Sequence, residues 1–306
     1  MSSTWSWTNR RASDPDQTSL EPQSPMLQPV AEGCIEAPAL SDRQYRLWAE
    51  MLENRTGVRI ALAREAYVRE QISLRMAERG YTSADRYLDE VSRTLNGVNE
   101  WGQLLDRLLV KETRFFRHSP SHEFIRERLA AFALDRDREH CHIWSVGCAS
   151  GEESYSLAID AMENLPCGVR FSVQGTDISH DAIHQARRGL YPATCLTEIA
   201  AGTVARYFTR NDGLAAVHDE VKQKTAFMLA NVLEIDQRLY GGMDIIFCQN
   251  VLVYFKQWRR RDVVNSLVEC LSPGGCLILG PGEVSDWLPS GARRVTAAEV
   301  LAFEKQ

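Results

Sequence analysis

The chain has 306 residues, of which 44% are hydrophobic and 25% charged, with a formal net charge of −6. That length holds two modest domains or one large domain with appendages. No run approaches the roughly 18–20 apolar residues of a spanning helix, the first residues lack the apolar centre of a secretory signal, and the acidic balance argues against a dedicated nucleic-acid binder, so a cytoplasmic protein is expected.

Residues 1–40 carry Pro15, Pro22, Pro25, Pro29 and Pro38 among Ser, Gln, Asp and Glu, with no hydrophobic period. Such a segment buries too little apolar surface to offset its ordering entropy, and a disordered tail is expected. From Ser41 the pattern turns helical. SDRQ is a capping box, with Tyr45, Trp48 and Leu52 on one stripe and Gly57 as a stop. A second helix is expected over residues 61–79 (Val68, Ile72, Met76), and a third around Tyr87 to Leu95 that ends near Asn96-Gly97. A fourth follows at about 100–109, and the four make a helical domain over 41–110.

After about residue 118 the elements alternate. Ser119-Pro120 opens a helix. Strands are then expected at 142–146, 169–175, 244–248 and 276–279, with helices after Gly151 and Ser179, which reads as a parallel, doubly wound sheet. Residues 214–230 break the rhythm, and a small antiparallel β insertion is expected at about 212–230. The eight cysteines form no C-x-x-C pair and several lie in apolar runs, so they read as small reduced hydrophobes. His180 and His184 share the spacing of a metal-binding helix, but no third ligand is evident and no metal is expected.

The site is expected beyond the strand ends. Gly147 and Gly151 bracket a turn after the first strand, and Glu152-Glu153 open the next helix. G-x-x-x-G is not the dinucleotide fingerprint. Two carboxylates would repel a pyrophosphate and would favour a ligand carrying an ammonium and a sulfonium, namely S-adenosylmethionine. Asp177, at the tip of the second strand, reads either as an acceptor for ribose hydroxyls or as a helix cap. Gln249-Asn250 end a later strand and would face the same cleft.

These segments together resemble the chemotaxis-receptor methyltransferase family (CheR-type protein-glutamate O-methyltransferases). The resemblance rests on ETRFFRHSPSHEF at 112–124, IWSVGCASGEESYSLAI at 143–159, QGTDISHDAIHQARRGLYP at 174–192 and RYF at 206–208. It continues in ANVLE at 230–234, IIFCQNVLVYF at 245–255 and LSPGGCLILG at 271–280. It implies a class I (Rossmann-like) S-adenosylmethionine methyltransferase sheet over 111–306, an N-terminal all-helical domain and an inserted antiparallel β subdomain. It also implies cofactor contacts from Lys111, Thr113, Arg117, Gly147, Glu153, Asp177, Asn231, Val232, Gln249 and Asn250, with Arg117 and Tyr254 at the reaction centre. The implied partner is the cytoplasmic helical domain of a methyl-accepting chemoreceptor, met by a monomer without nucleic acid or membrane insertion. In the family the second helix is basic and faces the acceptor, which nominates Arg64, Arg69 and Arg75 as substrate-binding; interleaved Glu65, Glu70 and Glu78 leave a solvated mixed-charge face as the alternative. Gln249 and Lys111 depart from the family's usual arginine and asparagine. The short turn Arg210–Leu214 favours recognition without a tethered receptor tail.

Overall fold

The computed structural model describes residues 38–134, 138–284 and 287–306, so the expected tail lies almost wholly outside the described residues. Helix α1 (Asp42–Thr56) begins at the capping box: Gln44 N–H donates to Ser41 Oγ, and the Gln44 carboxamide accepts from Ser41 N–H. It ends at left-handed Gly57. A 3-10 turn (Leu62–Arg64) leads into α2 (Glu65–Glu78), which is followed by α3 (Ala84–Arg93) and α4 (Leu95–Leu108). Trp48, Ile72, Met76, Tyr87 and Leu104 form the apolar centre of this group.

One local expectation fails here. Asn96-Gly97 does not stop the third helix but lies in the first turn of α4, where Gly97 N–H donates to the Thr94 cap at 2.9 Å. Glycine is needed for a close crossing instead: a Cβ would stand 2.2 Å from Glu90 O.

After α5 (Ser119–Phe132) comes the large sheet. Its strands are β1 (His140–Val146), β2 (Arg170–Asp177), β6 (Thr225–Leu229), β7 (Met243–Cys248), β8 (Leu271–Leu279), β9 (Ala292–Ala297) and β10 (Val300–Lys305), in the order β6-β2-β1-β7-β8-β10-β9. The first five run parallel, whereas β10 is antiparallel to both β8 and β9. α6 (Glu152–Asn164) and α7 (His180–Arg188) follow β1 and β2. Burial explains the reading of β7: all six of its residues are buried, as a strand covered on both faces requires. Cys141, Cys148, Cys248, Cys270 and Cys276 are buried thiols within these layers.

The insertion is real but differently bounded. β3 (Leu190–Pro192), β4 (Phe208–Asn211) and β5 (Leu214–Val217) form the small antiparallel sheet in the order β3-β5-β4, with α8 (Ala201–Tyr207) inside it. Residues 225–229, expected in the insertion, are instead the edge strand of the large sheet, parallel to β2. Short α9 (Asp219–Lys222) makes the connection. Later come α10 (Gln237–Tyr240) and α11 (Gln257–Cys270).

Candidate active site

The chain leaves β1 toward β2 on one side and returns to β7 on the other, so a crevice opens where the order reverses. The turn after β1 forms its floor. Gly147 takes φ 72°, and a Cβ there would lie 2.3 Å from Val251 Cγ2. Gly147 and Cys148 N–H both donate to Thr176 O, at 2.8 and 2.9 Å, which ties the turn to the tip of β2. Ala149 is held at φ 46° and Asn250 at φ 60°, and both line the crevice. Two non-glycine residues in the left-handed region at one site are strain that the surrounding contacts must hold.

The structure sets aside one of the two readings of Asp177, the helix cap. The Asp177 carboxylate accepts from Ala149 N–H and Ser179 N–H, both at 2.9 Å, whereas the cap of α7 is Ser179, whose Oγ accepts from Ala182 N–H. Asp177 therefore buckles two loops together and lines the crevice. Of the paired acids, only Glu153 lines it. Glu152 is buried elsewhere, accepting from Ser150 Oγ at 2.7 Å, so the sequence-based use of both carboxylates is corrected to one.

Glu153 accepts from Ser145 Oγ at 2.7 Å. Desolvation in the crevice pushes its carboxyl up to about 8, with Glu283 and Asp177 adding repulsion and Arg117 opposing them. Asp177 and Glu283 are raised as well, first by desolvation. Burial away from water, with like charges near Glu153, favours the protonated forms of these carboxyls in the ligand-free protein.

Opposite stand the segments before α5 and after β7. Lys111, Thr113 and Arg117 line the crevice, as do Asn231, Val232, Gln249 and Tyr254. Phe115 is buried edge-on between Tyr191 and Phe208, and Phe116 (φ 51°) donates its N–H to Ser156 Oγ at 3.0 Å. These anchors fix the backbone that carries Arg117, whose Nη1 donates to Glu112 O at 3.0 Å. Gln249 turns its amide inward, to Ser121 Oγ and Leu279 O. Asn231 caps the following turn and donates to Arg55 O at 2.7 Å, so it joins sheet to helical domain. Lys111 sits between Asp106 and Asp181.

Two positioning residues carry no sequence signal. Glu283, 2% exposed, accepts from Leu252 N–H at 2.9 Å and from Gly280 N–H at 2.7 Å. It thereby holds the 3-10 turn Leu252–Tyr254. Asp106 accepts from Ser179 Oγ and Asp181 N–H, fastening α4 to the start of α7. The helical domain supplies Thr56, Val58 and Arg64 to the crevice. Arg69 and Arg75 are not part of it: Arg69 pairs with Asp42 and Glu65, and Arg75 pairs with Glu100 and Glu78. Both are committed to holding helices together.

The donor set fits a nucleoside carrying positive charge. An acid stands for an ammonium, a second acid at the tip of β2 for a ribose, and the left-handed turn admits close backbone approach. Residues 111–297 match the CheR methyltransferase SAM binding domain, and residues 43–109 match its all-alpha domain. The chemotaxis protein methyltransferase of Salmonella typhimurium is 31% identical over 252 residues, covering 80% of this chain and 85% of its own. That of Escherichia coli is 30% identical over 250 residues, covering 80% and 85%. Chemotaxis protein methyltransferase 1 of Pseudomonas aeruginosa is 28% identical, covering 86% of this chain and 98% of its own. The fold and site are those of an S-adenosylmethionine-dependent methyltransferase with an N-terminal all-helical domain. The chain belongs to the CheR methyltransferase family.

Proposed function

We propose that this chain methylates glutamate side chains on the cytoplasmic helical domain of a methyl-accepting chemoreceptor, yielding glutamyl methyl esters and S-adenosylhomocysteine, and that it works in the cytoplasm. The observation that carries the reading is one crevice lined together by Glu153, Asp177, Arg117 and Tyr254. Among the described residues, no helix is long and apolar enough to cross a membrane.

When bound, S-adenosylmethionine supplies a methyl group made electrophilic by its sulfonium. Glu153 would hold the ammonium side and Asp177 the ribose, with Gly147, Thr113, Asn231, Val232 and Asn250 as surrounding contacts. Lys111 and Gln249 would act indirectly, since their polar heads already bond within the protein.

An acceptor glutamate has a pKa of about 4.3, so it is already ionised near neutrality and needs no general base. The protein's work is alignment and exclusion of water, with reacting atoms brought to about 3–3.5 Å. Arg117 orients the acceptor carboxylate by charge-assisted bonds, and Tyr254 walls the site. Arg117 positions rather than activates, because a tight guanidinium–carboxylate pair would blunt the nucleophile.

The test is incubation with methyl-labelled cofactor and membranes carrying a chemoreceptor. Base-labile label on the receptor is expected. Cofactor binding without transfer would reduce the protein to a sensor or scaffold, and no cofactor binding would sink both.

A further inference from the structure

The mouth of the crevice carries a basic, aromatic surface that the chemistry does not use. After Tyr254 the chain reads KQWRRRD over residues 256–262, at the start of α11. Its cations differ in what they already hold. Arg260 donates to Phe255 O, Val253 O and Glu283 O, and Lys256 pairs with Glu53. Arg259 instead lies 4.4 Å over the ring of Trp258, which is 54% exposed. Arg59 is exposed, its N–H bonded to Tyr254 O at 2.9 Å. Neither Arg59 nor Arg259 has a carboxylate partner among the described residues. Exposed Val253 lines the crevice, and exposed Leu62 leads the 3-10 turn whose Arg64 also lines it.

Helix α2 offers the opposite picture. Arg69, Arg75 and Arg79 are each paired with Asp42, Glu65, Glu78 or Glu100. An acidic partner approaching α2 would have to share or break those pairs. At the mouth it meets Arg59 and Arg259, which have no carboxylate partner among the described residues, next to apolar side chains that lose water on contact.

We propose that the face built from Arg59, Trp258, Arg259, Val253 and Leu62 docks the acceptor, an acidic amphipathic helix bearing the target glutamate. This inference rests on the methyl-transfer reading above. A helix is about 10–12 Å across, too wide to enter the crevice, so it lies over the mouth and inserts one side chain. The neighbouring turns, about 5.4 Å to either side, set an apolar stripe on Trp258 and Val253 and acids on Arg59 and Arg259. Specificity for a glutamate flanked by acids on a helix follows from the rim, not from α2.

The test measures the KM for the soluble cytoplasmic helical hairpin of a methyl-accepting receptor at saturating labelled cofactor. Arg59→Glu combined with Arg259→Glu is expected to raise it about tenfold and to flatten its salt dependence, with cofactor affinity unchanged. Trp258→Ala is expected to raise it about threefold or more, since exposed aromatic anchors carry much of an interface. A rise below about threefold for the charge reversals, or a larger rise for Arg69→Gln, overturns the docking face. Wild-type protein that places no base-labile label on the hairpin overturns the functional reading, and this inference with it.

Discussion

Glu153 shows how a single side chain couples the site to pH. Its folded-state carboxyl, near 8, lies above the ordinary 4.5 that it regains on unfolding, and desolvation is the leading cause. The folded protein therefore holds that proton more tightly, so the group's contribution to stability falls as pH rises from 4.5 through about 8. Glu153→Gln is expected to stabilise the ligand-free protein at pH 8 by more than about 1 kcal/mol, each pKa unit being worth about 1.4, as read by thermal melts at pH 5 and 8. A cationic ligand prefers the ionised form, so cofactor binding below pH 8 should release a proton and tighten as pH rises. Calorimetry in buffers of different ionisation enthalpy detects this; an absence of proton release would show that Glu153 does not meet the charge. Asp177→Asn turns one acceptor into a donor facing Ala149 or Ser179 N–H. It should weaken cofactor binding about tenfold or more, an effect of about 1.4 kcal/mol, in equilibrium titration. Asp177 and Glu153 were readable in the sequence because they sit at strand and helix ends. Glu283 was not: it reaches Leu252 across 31 residues of chain, and PGEVSD carries no period.

At the scale of elements, local signals succeeded where a side chain satisfies its own helix end. Ser41 and Gln44 announced α1, and Ser179 announced α7. They failed where the reason lay in a neighbour. Gly97 reads as a stop but serves the crossing of α3 and α4. Thr225–Leu229 reads as a hairpin strand but pairs with β2, a choice that short apolar strands leave to tertiary context. Glu283→Gln loses one of the two buried acceptors that tie Leu252, in the turn that carries Tyr254, to Gly280. It should lower kcat about tenfold while cofactor affinity changes little, as steady-state kinetics against direct binding would show. Gly57 is the hinge between α1 and the crevice wall: its φ is 78°, and a Cβ would lie 2.3 Å from the Phe255 ring. Gly57→Ala should cost about 2 kcal/mol or more in chemical denaturation, combining left-handed strain with overpacking. An effect below about 0.5 kcal/mol would mean that the wall yields freely.

Across the whole molecule, helical domain and sheet share one site. Asn231 bonds to Arg55, Lys256 to Glu53 and Asp106 to Ser179, so a ligand held in the crevice braces both. Cofactor at about 100 times its Kd should therefore stabilise the fold by about 2.7 kcal/mol, shifting Tm by roughly 4–5 °C in one transition seen by both helix and aromatic signals. Two transitions, with only the later one shifted, would show that the helical domain melts independently.

The sequence by itself determined the alternation of strands and helices, the glycine turn after β1 and the acids that favour a sulfonium over a phosphate, because periodicity and caps are encoded within a few residues of where they act. Only the tertiary structure decided that Glu152 turns away while Glu153 lines the crevice. It also decided that the arginines of α2 pair with Asp42, Glu65, Glu78 and Glu100, whereas Arg59 and Arg259 have no carboxylate partner among the described residues. Which charge is available depends on which neighbours packing brings within a few ångströms, and those neighbours are remote in the chain.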